Sequence, residues 1–119
     1  MIQLLSWNIQ NGEGVDGVIS LERIADTIFN MSNPDVICLQ EVSRNCELKD
    51  GTQPDQLQQL SSIFKDYTPF FGPAYNVLRS VESELEQFGN IILSKLPELP
   101  HFTHILLQPV NTRYKHNTN

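Results

Sequence analysis

The sequence predicts an α/β fold built around a strand–helix–strand unit, and three observations predict it. Residues 36–39, Val-Ile-Cys-Leu, form an apolar run that leads straight into Gln40 and Glu41, the pattern of a strand buried on both faces. Leu21, Ile24, Ala25, Ile28 and Phe29 recur at i, i+3, i+4, i+7 and i+8, which is the stripe of an amphipathic helix. Upstream, Leu4, Leu5, Trp7 and Ile9, interleaved with Ser6 and Asn8, read as a first strand over residues 2–9.

Asn8 is the notable member of that first strand. An amide among apolar neighbours must find hydrogen-bond partners, and local backbone serves that need as well as a ligand does. Asn11-Gly12-Glu13-Gly14, with Gly17 behind it, is a turn-rich loop that matches no nucleotide-binding glycine pattern. Ser20 offers a helix N-cap and Glu22 an acid in the first turn. Asn33-Pro34 ends the helix, because the residue before proline avoids helical geometry. With both strands parallel in one sheet, joined by the helix, they finish at the same edge. Asn8 and Glu41 then lie close together where open α/β sheets place their ligands. A carboxylate on a rigid strand end suits a hard cation such as Mg²⁺, which takes oxygen ligands and keeps several waters. A solvated Glu just past a strand fits the same residues.

Residues 43–53 are polar and carry Gly51, so they read as a loop, with Arg44 either solvated or within reach of a phosphate. Pro54 is expected to open a second helix. Leu57, Leu60, Ile63 and Phe64 mark its buried side, and its glutamines face water. Beyond it, short strands are expected around Phe70-Phe71 and over residues 75–78, joined by a tight turn. Glu82, Glu84 and Glu86 alternate and mark a solvated loop or edge rather than a site, in an acidic stretch that runs to Gln87. Residues 88–94 look like another buried strand, in which Gly89 signals a bulge or a close backbone approach. A last strand is expected over residues 101–107. His101 and His104, at i and i+3 on it, face opposite ways and make a poor metal pair. Few apolar residues follow Pro109, so residues 110–119 read as a polar C-terminal tail.

Composition narrows the function. Fourteen acidic residues against 8 basic ones give a formal charge of −6, which argues against a free-standing nucleic-acid binder but not against an enzyme that meets phosphate through cations. Cys38 reads as a small core residue. Neither it nor Cys46 belongs to a zinc-ligand spacing. The N-terminus lacks the features of a signal peptide, and no apolar run is long enough to span a bilayer. The expectation is a soluble cytoplasmic protein.

Three segments together resemble a known family: residues 6–12, Ser-Trp-Asn-Ile-Gln-Asn-Gly; residues 34–42, Pro-Asp-Val-Ile-Cys-Leu-Gln-Glu-Val; and residues 88–95, Phe-Gly-Asn-Ile-Ile-Leu-Ser-Lys. In this order they look like the opening motifs of the endonuclease/exonuclease/phosphatase superfamily. The resemblance implies an α/β (α+β) architecture, the N-terminal half of a four-layer α/β/β/α sandwich, with a mixed sheet flanked by two helices. It implies a metal-dependent phosphoesterase or phosphodiesterase. Glu41 would bind the catalytic Mg²⁺ or Mn²⁺, and Asn8 would hold the metal site or its waters. The implied substrate is a phosphate ester: nucleic acid, phospholipid or phosphoinositide. Gln10 stands where some members carry an Asp, so no second carboxylate comes from that position.

The chain departs from the family pattern in one respect. The later motifs, Asp-x-Asn and Ser-Asp-His, do not occur, and the last Asp is Asp66. Residues 1–109 therefore resemble a partial domain of this kind, the metal-binding half of a hydrolase. The alternative is a catalytically inactive half-domain or interaction module. Either way one sheet face is expected to expose apolar surface, and a complementary half-domain or a second copy of the chain is the expected partner.

Overall fold

The computed structural model describes residues 1–97. The expected strand over residues 101–107, the histidines His101, His104 and His116, and the tail over residues 110–119 lie outside the described residues. Six elements follow in chain order: β1 (Leu4–Asn8), α1 (Leu21–Met31), β2 (Val36–Arg44), α2 (Gln56–Ile63), β3 (Thr68–Val77) and β4 (Glu86–Ser94). The four strands form one mixed sheet in the order β1-β2-β4-β3. β1 runs parallel to β2, and both β2 and β3 run antiparallel to β4.

The helices form as their sequences dictate. Ser20 caps α1, its side chain accepting from the Arg23 N–H, and the Ser32 N–H closes the other end on the Ile28 carbonyl. The buried stripe of α1 is Leu21, Ile24, Ala25 and Ile28. Phe29, expected in that stripe, is instead 46% exposed and packs its ring at a tilt against Phe64 and Tyr67. α2 begins two residues later than its proline suggests. Asp55 is the N-cap, accepting from the Gln58 N–H, because its carboxylate satisfies a helix-end donor that proline cannot.

Both helices pack on one face of the sheet. Ile37, Leu39, Val42, Ile91 and Leu93 meet Ile24, Ile28, Leu60 and Phe64 in a single apolar core, with Trp7 and Leu5 packed at its margin. The alternation of strand side chains puts Leu4, Ser6, Asn8, Val36, Cys38 and Gln40 on the opposite face. Cys38 is therefore half-buried rather than a core residue, and its partial burial pushes the thiol pKa up. On this same face Leu4 is exposed and Val36, Phe70 and Ile92 are only partly covered. This is the mixed apolar face expected of a sheet whose two described helices lie on one side.

At three places the sheet continues where local signals suggest a break. β2 runs on to Arg44, two residues into the expected loop; residues 45–53 are a loop, as expected, but Cys46 and Leu48 in it are buried. Phe70-Phe71 and residues 75–77 belong to one long strand, β3, which absorbs Pro69 and Pro73 through a register shift between Pro73 and Tyr75. β4 starts at Glu86, which is buried and paired with Arg79 at 2.7 Å rather than solvated. Gly89 does mark a close approach: a Cβ there would stand 2.2 Å from the Gly72 carbonyl oxygen.

Candidate functional site

The parallel ladder of β1 and β2 ends where Asn8 registers on Gln40. β2 itself runs on beside β4 to Arg44, so that Glu41 lies within β2 rather than just past its end. The ladder then breaks. Leu39 faces Ile91 on β4, but Val42 faces Gly89, so β2 carries one residue more than its neighbour across Gln40-Glu41. This is a β-bulge, which bends a strand and re-aims a side chain. Glu41 sits in it with φ +61°, a left-handed conformation that costs an L residue about 1–2 kcal/mol.

The bulge brings Glu41 onto Asn8, whose Nδ2 donates to Glu41 Oε2 at 2.6 Å. The Asn8 amide is itself oriented from below, because its Oδ1 accepts the Gln10 N–H at 3.1 Å. That bond fixes which end of the amide meets the carboxylate. The expected proximity of the two residues is thus found, through a direct hydrogen bond. Gln10 and Asn11 continue the pattern with φ +50° and +60°. Gly12, at φ +85°, ends the turn, and its carbonyl accepts from Ser20 N–H at the start of α1. Gln40 points the other way and donates to Ser6 Oγ and the Cys38 carbonyl.

A second ring of contacts lies just behind. Ser43 Oγ donates to Asn11 Oδ1 at 2.6 Å. The Gln56 side chain accepts from the Ser43 N–H and donates to the Asn11 carbonyl, at 3.0 and 2.7 Å. Gln56 is only 1% exposed, against the expectation that the α2 glutamines face water; Gln58 and Gln59 do face water. Further along β2, Arg44 is no free phosphate-reaching group. It grips Asp55 through Nε and Nη2, both at 3.0 Å, and reaches Gln87 with Nη1. Burial pushes the Asp55 carboxyl up, but the Arg44 guanidinium and the Gln58 N–H outweigh it and hold it below its ordinary value.

Sequence reasoning missed Asn11, Ser43 and Gln56. A signal existed for Gln56: it precedes Leu60 and Phe64 at steps of four, so it is a polar residue on an apolar stripe. The donors gathered at the strand ends are oxygens: one carboxylate, Glu41, with the Asn8 amide against it. No group of three His, Cys, Asp or Glu side chains forms a metal cluster among the described residues. A set with one carboxylate fits Mg²⁺, which retains waters, better than an ion that needs an all-protein cage.

Fold and site together define a mixed-sheet α+β protein with a strained carboxylate at a parallel strand edge. The endonuclease/exonuclease/phosphatase family model matches residues 5–116, and the chain belongs to that family, a group of hydrolases. It is similar to the crystal structure of an endonuclease/exonuclease/phosphatase from Beutenbergia cavernae DSM 12333, with a TM-score of 0.65 and 28% identity over 82% of this chain. The chain spans 27% of that protein's length. No curated protein matches it.

Proposed function

We propose that this chain carries the metal-binding part of a divalent-metal-dependent phosphoesterase. The observation that carries the reading is the Asn8–Glu41 contact at 2.6 Å, made by a Glu held in left-handed backbone at the end of a parallel strand pair. Strain of this kind persists only where surrounding structure over-determines it, and it gathers at functional sites. Glu41 would hold Mg²⁺ or Mn²⁺ through its carboxylate. Asn8, oriented by the Gln10 N–H, would fix the carboxylate rotamer and leave the second oxygen for the ion. When bound, such a cation supplies Lewis-acid polarisation of a phosphoryl oxygen and neutralises its charge. The substrate class is a phosphate ester, met through the cation rather than through a basic surface, consistent with the net charge of −6. Two free thiols, Cys38 and Cys46, support a reducing, cytoplasmic setting, and no helix of the described residues is long and apolar enough to cross a membrane.

The test is calorimetric titration of Mn²⁺ into wild type and Glu41→Gln, alongside Mn²⁺-dependent hydrolysis of an activated phosphodiester. Loss of Mn²⁺ binding in Glu41→Gln with an unchanged melt supports the reading, and wild-type affinity in that variant rejects it. A second reading draws on the half-open sheet face around Leu4, Val36, Phe70 and Ile92: an inactive half-domain that pairs with a complementary half or a second copy. Light scattering separates the two. A concentration-dependent dimer without hydrolysis favours pairing, and a monomer that hydrolyses the probe favours the enzyme.

A further inference from the structure

We propose that Gln56 is a positioning residue of the site, a clamp that sets the two strand ends bearing Asn8 and Glu41; its bearing on metal rests on the function proposed above. Gln56 opens α2 and shares a face with Leu60 and Phe64, both essentially fully buried. Those two side chains anchor the helix in the apolar core, so helix packing alone calls for an apolar residue at position 56. An amide stands there instead, 1% exposed, with both ends used.

Its two partners belong to the two segments that make the site. Ser43 lies two residues past Glu41, and Asn11 three residues past Asn8. The Ser43 hydroxyl joins them directly at 2.6 Å, so Asn11, Ser43 and Gln56 close a ring that spans the turn after β1, the end of β2 and the start of α2. Both segments hold left-handed residues, Asn11 at φ +60° and Glu41 at φ +61°. Left to themselves these would relax toward ordinary backbone. Only a planar group with a donor at one end and an acceptor at the other completes the ring. Methionine of similar length takes the partner from a buried Ser43 N–H and a part-buried Asn11 carbonyl, and glutamate lacks the donor. The Gln56 amide therefore acts on the site through backbone it fixes, without touching Asn8 or Glu41.

The experiment compares amide hydrogen exchange in the full 119-residue chain for wild type, Gln56→Met, Gln56→Glu and Leu60→Ala. Leu60→Ala weakens the same helix without disturbing the ring. The expected result is local. Gln56→Met speeds exchange at Ile9 and Gly12 about tenfold or more relative to Ile37 and Leu93, Gln56→Glu does so to a smaller degree, and Leu60→Ala speeds all four together. Below the melting range of both variants, Gln56→Met also weakens Mn²⁺ binding about tenfold while Leu60→Ala leaves it at the wild-type value. A uniform change in the Gln56 variants, matching Leu60→Ala, overturns the clamp and leaves Gln56 a plain structural residue. If Gln56→Met does not fold, Gln56→Glu carries the same comparison. Unchanged Mn²⁺ binding in Glu41→Gln would reject the metal reading alone, since the exchange pattern judges the clamp without any metal.

Discussion

Among the described residues the sheet contains two bulges, and they flank the same stretch of β4. On one side β2 carries an extra residue between Leu39 and Val42; on the other β3 shifts register between Pro73 and Tyr75; Gly89 pairs with both Val42 and Pro73. The two irregularities are alike in topology and opposite in chemistry. The β3 bulge accommodates proline in an edge strand, where a missing N–H is tolerated, and no residue in it has a positive φ. The β2 bulge lies in an interior strand of apolar sequence that needs no interruption, and it puts a glutamate into left-handed backbone. One bulge solves a packing problem that the sequence creates. The other creates strain and is held by Asn8 and the hydrogen bonds around it. The difference separates an irregularity that packing explains from one that only the proposed function would explain.

Substitutions can break or sharpen this contrast. The largest effect belongs to Gly89, which both bulges share. Gly89→Ala would place a Cβ 2.2 Å from the Gly72 oxygen and 2.7 Å from the Pro73 Cα. Backbone cannot swing aside as a side chain does, so a loss of about 3 kcal/mol is expected in urea unfolding. A loss under about 1 kcal/mol would mean that β3 bends away easily and the two bulges are not coupled through β4.

Next comes a pair of glycine substitutions with opposite expected signs. Glu41→Gly relieves the left-handed strain and should raise stability by about 0.5–1 kcal/mol, while removing Mn²⁺ binding. Ala74→Gly in the β3 bulge, where nothing is left-handed, should lower stability by about 0.5–1 kcal/mol through chain entropy. If both variants lose stability, the strain assigned to Glu41 is not there and the contrast between the bulges collapses.

The smallest expected effect is a pH dependence on the β2 side only. Asp55 caps α2 and pairs with Arg44 beside the β2 bulge. Burial pushes its carboxyl up, but the Arg44 guanidinium and the Gln58 N–H outweigh burial and hold it below its ordinary value when folded. A depressed folded pKa means that the unfolded chain binds the proton first as pH falls. The Asp55 contribution is then fully present above the ordinary carboxyl range and is lost as pH drops through the folded value. Amide exchange at Gln58 and Arg44 should rise below about pH 4, ahead of exchange at Phe70 and Ile92. A simultaneous rise on both sides would show that Asp55 does not stabilise this region selectively.

Much of the fold was legible from residue pattern. The 3.6-residue period fixed α1 with its Ser20 cap, and the apolar runs located β1, β2 and β4. Gly89 announced a close approach that the structure contains. What misled was punctuation. Pro69, Gly72 and Pro73 read as breaks, yet β3 passes through all three, since an edge strand can leave one side of its ladder unfilled. Glu86 reads as solvated because its acidic neighbours are exposed, whereas the Arg79 partner that permits its burial is contributed across a loop. The candidate site divides the same way. Asn8 and Glu41 follow from strand order and a shared edge. Asn11, Ser43 and Gln56 form a ring across positions 11, 43 and 56, a spacing with no local signature.

The sequence by itself determined the strand–helix–strand unit, the apolar stripes and the pairing of two strand ends, because those depend on periodicity and on chain connectivity. The tertiary structure alone decided that Glu41 leaves the strand path in a bulge, that Arg44 is committed to Asp55, and that a buried amide ties the two strand ends together. Each of these depends on which groups meet after folding. A hydrogen bond or a strained dihedral is stable only in the company of partners that the chain brings from far away in sequence.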